Sequence, residues 1–118
     1  SLKEDLMRHI WWNEWPESKS IIDKCTDMVR IPLNDSGDTA LHLAVSQYRL
    51  EIVNGLVNRM SPEDMLIPNS DRMLPVHLAA LFGFKRMVDN LSSQKVLDKM
   101  KSKDIKKLFI MTIRFNMF

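Results

Sequence analysis

The sequence predicts an all-α solenoid of stacked helix-turn-helix units, and three observations carry that prediction. First, the run Gly37-Asp38-Thr39-Ala40-Leu41-His42-Leu43-Ala44-Val45 is echoed 35 residues later by Arg72-Met73-Leu74-Pro75-Val76-His77-Leu78-Ala79-Ala80. Self-similarity at a period of roughly 20–50 residues marks a stack of small units and not one irregular domain. Second, each copy is followed by apolar residues at helical spacing. Third, the leading flank reads as a degraded version of the same unit, as an end cap of a stack does.

The elements follow in chain order. Residues 3–29 form a degenerate leading unit. Counting back one period from His42 lands on Met7, with Leu6 and Ile10 beside it, and Pro16-Glu17 opens a second helix carrying Ile21, Ile22 and Cys25. Ser36-Gly37-Asp38 is a turn with glycine suited to a positive φ. Thr39 then opens a short helix with Leu41, Ala44 and Val45 on one face. Ser46–Arg49 links it to a second helix holding Leu50, Ile52, Val53, Leu56 and Val57. In Ser61-Pro62-Glu63-Asp64, serine can cap, proline suits a first helical position and acids suit a first turn, so a brief helical turn is expected. The second copy runs from the turn Asn69–Arg72 through a helix at Leu74–Leu81, with Pro75 at its tolerated start. Phe82-Gly83-Phe84 makes the next turn, and Lys85–Leu91 the next helix, with Met87, Val88 and Leu91 inward. A last helix spans Ser102–Phe118. Ile105, Leu108, Phe109 and Thr112 form its stripe, and further apolar residues widen it, so burial on two sides is expected. The boundaries are thus a cap at 1–33, units at 34–68 and 69–101, and a C-terminal helix at 102–118 expected to start a further unit, all in one domain.

The copy at 37–45 resembles the ankyrin signature T-P-L-H-x-A. Residues 34–60 and 69–91 look like two ankyrin repeats, the first matching at Gly37, Thr39, Leu41, His42, Leu43, Ala44, Glu51, Ile52, Val53, Leu56 and Val57. In the second, Arg72 takes the glycine place and Leu74 the threonine place. The family's threonine hydroxyl fixes the histidine tautomer. Thr39 offers this to His42 and Leu74 offers nothing comparable to His77, so a less rigid second turn is expected. The words Gly37-Asp38-Thr39-Ala40-Leu41-His42, Glu51-Ile52-Val53, Ser61-Pro62-Glu63-Asp64 and Asp104-Ile105-Lys106-Lys107-Leu108-Phe109 are also similar to plant ankyrin proteins. Those proteins carry a C-terminal membrane domain named after a Pro-Gly-Gly motif and are linked to salt stress and immune cell death. The resemblance implies a non-enzymatic protein-binding module in plant stress or defence signalling. Any membrane attachment would come through such a domain in a longer parent protein.

Composition narrows the chemistry. The 118 residues are 45% hydrophobic and carry a net charge of +2. From Lys95 onward seven Lys or Arg face two Asp, leaving that end at +5 and residues 1–94 at −3. One cysteine, Cys25, excludes an internal disulfide and fits a reducing, cytoplasmic setting. The charged start Ser1–Asp5 is followed by no apolar segment of a signal peptide, and no run of 18 apolar residues spans a membrane. If the segment belongs to a membrane-anchored protein, it lies on the cytosolic face. Three glycines build no phosphate-cradling loop, and no Ser-His-Asp set or carboxylate pair can be assembled. His42 and His77, one helix-packing distance of about 10 Å apart, cannot share a metal ion. His9 near Glu4, Asp5 and Glu14 reads as helix surface. No catalytic residue, cofactor, metal or nucleic-acid partner is expected.

The expected partner is a protein. Solenoid geometry puts the binding surface on a concave face made by turns and first helices. One unit contributes Asn34, Asp35, Ser36, Asp38, Gln47, Tyr48 and Arg49. The next contributes Ser70, Asp71, Arg72, Met73, Phe82 and Phe84. Trp11, Trp12 and Trp15 crowd the cap. At helical spacing Trp11 and Trp15 share a face and two of the three seal the end, leaving Trp12 as an exposed anchor, a role tryptophan often takes. Two other uses are open: self-association through the apolar C-terminal helix, and acidic-lipid recognition by Lys95, Lys99, Lys101, Lys103, Lys106 and Lys107. Most of the nine methionines fill gaps in the stack.

Overall fold

A seven-residue helix gives too few hydrogen bonds to stand alone, so short amphipathic helices persist only by sharing a core. The computed structural model describes residues 1–115 and is built on that rule. Its helices are α1 (Leu2–Trp11), α2 (Trp15–Lys24), α3 (Ala40–Ser46), α4 (Leu50–Val57), α5 (Pro75–Leu81), α6 (Lys85–Leu91), α7 (Gln94–Lys99) and α8 (Ser102–Arg114). No strand occurs among the described residues. One layer runs α1-α3-α5-α8 and the other α2-α4-α6, each helix packed on its neighbour in the layer. The stack measures 39 × 25 × 23 Å. The core between the layers holds Leu6, Ile10 and Ile22 at one end, Leu41, Ile52 and Leu56 in the middle, and Leu74, Met87 and Leu91 beyond.

The repeat is written most clearly in the backbone. Each link between paired helices uses the same three bonds. Gln47, Tyr48 and Arg49 donate to Leu43, Val45 and Ala44, and Phe82, Gly83 and Phe84 to Leu78, Ala80 and Ala79. In the cap, Trp12, Asn13 and Glu14 donate to Arg8, Ile10 and His9. This is the Schellman pattern, whose penultimate residue needs a left-handed backbone. Asn13 (φ 58°), Tyr48 (φ 56°) and Gly83 (φ 75°) supply it. The leading unit has therefore lost the sequence signature but kept the turn. The second kind of turn, before each first helix, repeats equally well, and Arg72 (φ 61°) adopts the left-handed conformation of Gly37 (φ 74°). The expected turn after Ser61 forms at Glu63–Leu66, with Asp64 N–H donating to Ser61 Oγ at 3.2 Å and Ser61 N–H to Asp64 Oδ2 at 3.0 Å. A matching 3₁₀ turn at Thr26–Val29 and the helix α7 were not anticipated from the sequence.

Three expectations need correction. Trp11 and Trp15 do not lie on one helix, because the Asn13 turn separates the end of α1 from the start of α2. Trp11 is 58% and Trp12 67% exposed, and the half-buried Trp15 alone packs on the core. Second, His77 keeps both of the backbone bonds that hold His42, one of them from a donor that the threonine argument overlooked and that is described below, and lacks the hydroxyl contact. Third, α8 buries only the Leu108 and Thr112 side, against α5, and leaves Ile105, Phe109, Ile110 and Ile113 exposed. The final three residues of the expected 102–118 helix lie outside the described residues.

Gly55, in the middle of α4, explains how the cap is seated. A Cβ there would stand 2.2 Å from Trp15 Cζ2, so the indole rests on bare backbone. The Arg59 guanidinium covers the indole, 5.2 Å from its centroid, and bonds Asp23 Oδ1 at 2.8 Å and the Gly55 carbonyl at 3.1 Å. Helix propensity alone would make Gly55→Ala stabilising by about 1 kcal/mol. Overpacking costs about 1–3 kcal/mol and displacing the indole also loses its cation–π contact, so the clash wins. Gly55→Ala is expected to destabilise the fold by about 1–2 kcal/mol in urea titration; an unchanged or raised midpoint would show that the indole swings clear at no cost.

Candidate protein-interaction surface

The two kinds of turn lie at opposite ends of the first helices. A seven-residue helix is about 10 Å long, so the expected concave face resolves into two rims. Asp35, Asp38, Asp71, Arg72 and Met73 form a fingertip rim at the start of α3 and α5. Gln47, Tyr48, Arg49, Phe82, Phe84 and Trp12 form a second rim at the other end. Sequence reasoning merged them because solenoid position was read without helix direction.

The fingertips are scaffolded by two asparagines one period apart. Asn34 Oδ1 accepts from the N–H groups of Ser36 (3.1 Å) and Asp38 (3.0 Å), and Asn69 Oδ1 from those of Asp71 and Met73 (both 3.0 Å). Asp38 joins the fingers, accepting from Asn34 Nδ2 at 3.1 Å and Asn69 Nδ2 at 3.0 Å. Ser70 N–H donates to the Ser36 carbonyl at 2.9 Å. Asp38 is thus committed to the scaffold, whereas Asp35, Asp71 and Arg72 are exposed and Met73 is half-buried. Asn34 was placed on the surface by sequence, and its scaffolding role was readable from the matching Asn69.

Behind the fingertips sit the two histidines, both fully buried. His42 Nδ1 accepts from the Thr39 N–H at 3.0 Å, with the Thr39 hydroxyl 2.9 Å away, and Nε2 donates to the Met73 carbonyl of the next unit at 2.8 Å. His77 repeats this: Nδ1 accepts from the Leu74 N–H at 3.0 Å and Nε2 donates to the Asp104 carbonyl at 2.9 Å. The backbone N–H, which any residue but proline supplies, fixes the tautomer, so leucine serves where threonine was expected. Burial holds both imidazoles below the ordinary histidine range, opposed in part by the backbone carbonyls that favour the charged ring.

The opposite rim is aromatic. Tyr48 and Phe84 meet edge to face with centroids 4.7 Å apart, and Phe82 lies 5.7 Å from Phe84. Tyr48 is 50% and Phe82 47% exposed, and Trp11 and Trp12 stand at the equivalent turn of the cap. Phe115 Cδ1 comes within 3.5 Å of where a Gly83 Cβ would be, extending the row. Trp11 and Phe115 were not singled out for binding from sequence. Arg49 has an internal role: Nε donates to the Ile10 carbonyl at 3.2 Å and Nη2 to the Trp11 carbonyl, capping the end of α1. Gln47 is half-buried in the turn.

Among the described residues, one group has metal-ligand spacing: His9, Glu14 and Glu17, with ligand atoms within 4.8 Å of one another. His9 Nδ1 and Glu14 Oε1 are 2.9 Å apart, a surface contact closed by the α1–α2 turn. No described helix is long and apolar enough to cross a membrane.

Residues 36–70 match the family model for the ankyrin repeat. The window runs from one fingertip to the next, and its two end residues are the pair joined by the Ser70–Ser36 backbone bond. No curated protein matches the chain significantly. With the layered helix pairs, the match identifies the fold as an all-α ankyrin-repeat solenoid, and ankyrin repeats are generic protein–protein interaction modules.

The histidine geometry makes a stability prediction. Protonating Nδ1 removes an acceptor and strands a buried N–H. The folded-state pKa values lie below the unfolded value of about 6.5, so the unfolded chain binds more protons in that region and stability falls as pH drops. Unfolding free energy is expected to decline from about pH 7 to about pH 5.5, by at most about 1.4 kcal/mol per pH unit for each histidine. Urea midpoints that stay flat across this window would contradict the assignment of both rings as neutral.

Proposed function

We propose that this chain is a protein-binding module whose partner seats on the aromatic rim. The observation that carries this reading is the row of exposed rings at equivalent turns: Trp12, Tyr48 and Phe82, with Phe84 packed against the last two. Aromatic side chains supply large buried area at low entropic cost and dominate binding hot spots. Asp35, Asp71, Arg72 and Met73 on the fingertip rim form a polar second contact zone. The setting we infer is plant stress or immune signalling, on the cytosolic side of the cell. The similarity of residues 37–42, 51–53, 61–64 and 104–109 to plant ankyrin proteins supports it. A capture experiment from plant extract tests the rim. A Trp12→Ala, Tyr48→Gly, Phe82→Ala variant of verified fold is expected to weaken the captured complex by at least about 2 kcal/mol, roughly thirtyfold. An Asp35→Ala, Asp71→Ala variant is expected to retain it. The reverse order would move the site to the fingertips, and a native chain that captures nothing would defeat the module reading.

A second reading is favoured by α8. Its Ile105 and Phe109 line an opening beside α6, where the α2-α4-α6 layer has no further described helix, and Ile110 and Ile113 are exposed on the same helix. A contiguous apolar surface of this kind suits association with a second copy. It predicts concentration-dependent dimers in sedimentation equilibrium that vanish with Ile110→Asp and Ile113→Asp; a chain that stays monomeric would remove this reading.

A further inference from the structure

The basic end of the chain is not merely a solvated face. A cavity of about 430 Å³ opens between the second fingertip and the α7–α8 junction. Arg72, Lys99, Lys101, Lys103 and Lys107 line it, drawn from the fingertip, the end of α7 and the start of α8. Asp104 is the one carboxylate on the wall. Leu74 and Met100, both buried, close its base.

The cations are held there by the fold. Arg72 stands on the left-handed corner of the fingertip, and Lys107 Nζ crosses to the Arg72 carbonyl at 2.8 Å. Lys99 meets Glu63 at 3.9 Å, with both side chains mostly exposed, a pair of little strength. Among the described residues, Lys101 and Lys103 form no ion pair. Five cations against one anion around a single hollow create a positive potential focused by low-dielectric walls.

We propose that this cavity binds a compact ligand carrying two or more phosphate groups. Its volume falls in the range of about 300–1,000 Å³ typical of small-molecule sites. The charges converge on a hollow and not along a strip, which suits a dense polyanion better than an extended acidic peptide. Arginine adds a planar fork that pairs bidentately with phosphate, and lysines add point charges. The site lies at the opposite end of α5 from the aromatic rim, so the proposal does not depend on the protein-binding reading. The shared chemistry could be offered free in solution or by a phosphoinositide headgroup.

Calorimetric titration of the full chain with inositol hexakisphosphate tests it. Native protein is expected to bind with an affinity that falls steeply with salt. Lys101→Glu with Lys103→Glu, both exposed, is expected to weaken binding roughly tenfold or more. Lys3→Glu with Lys24→Glu, the same charge change at the far end, is expected to alter it less than about twofold. Sedimentation with phosphatidylcholine vesicles, with and without phosphatidylinositol bisphosphate, separates the sources. Co-sedimentation only with the phosphoinositide supports a headgroup, and binding confined to the free ligand supports a soluble one. No binding by native chain, equal loss in both variants, or tighter binding to a phosphoserine peptide of equal charge would overturn the proposal.

Discussion

The structure depends on a buried imidazole that is hydrogen-bonded at both ends. One nitrogen caps the start of its own helix and the other reaches a carbonyl of the next unit, at His42 and again at His77. A ring with no access to water must satisfy both atoms inside the protein, because an unpaired buried polar group costs about 1–3 kcal/mol. That requirement fixes the distance and register between successive first helices. The fingertips, the left-handed corners and the two rims all take their places from that register. A slip of one residue along the stack would take the next unit's carbonyl away from Nε2, while Nδ1 kept the partner in its own helix.

What could be read in the sequence were the features repeated at a fixed period. The apolar faces of α3 to α6, the proline at the start of α5 and the capped turn at Ser61 followed from spacing and local propensity. What could not be read were positions where backbone geometry overrides residue identity. Arg72 gives no sign of the left-handed conformation it shares with Gly37. Trp11 and Trp15 are four apart, as on one helix face, but the Asn13 corner falls between them. Gly55 looks like a weak point in a helix until the indole lying on it is seen. Arg49 reads as a binding residue at a turn, and its use in capping α1 involves a partner 38 residues away. Leu74 seemed to leave His77 unsupported because the comparison was made between side chains, whereas the bond comes from the backbone.

The surfaces divide by chemistry along the helix axes. At one end of α5 lie exposed rings and at the other a polar fingertip leading into a lysine-lined hollow. Exposed aromatic surface and exposed basic surface are therefore kept on separate edges, so covering one leaves the other's charges in water. The helices between them are spent on the core, so the rings are carried by turns and the cations by the fingertip, α7 and α8.

Tyr48 shows what this separation permits. Its left-handed backbone costs a non-glycine residue about 1 kcal/mol or more, and its edge-to-face contact with Phe84 returns about 0.5–1.5 kcal/mol. The two nearly cancel, so carrying a tyrosine at this corner costs the fold little relative to a glycine. Three Schellman corners of identical backbone thus act as sockets: Asn13, Tyr48 and Gly83 are already three different occupants. New recognition can be grafted at such a socket, by selection or by design, while the stack beneath it is left as it was.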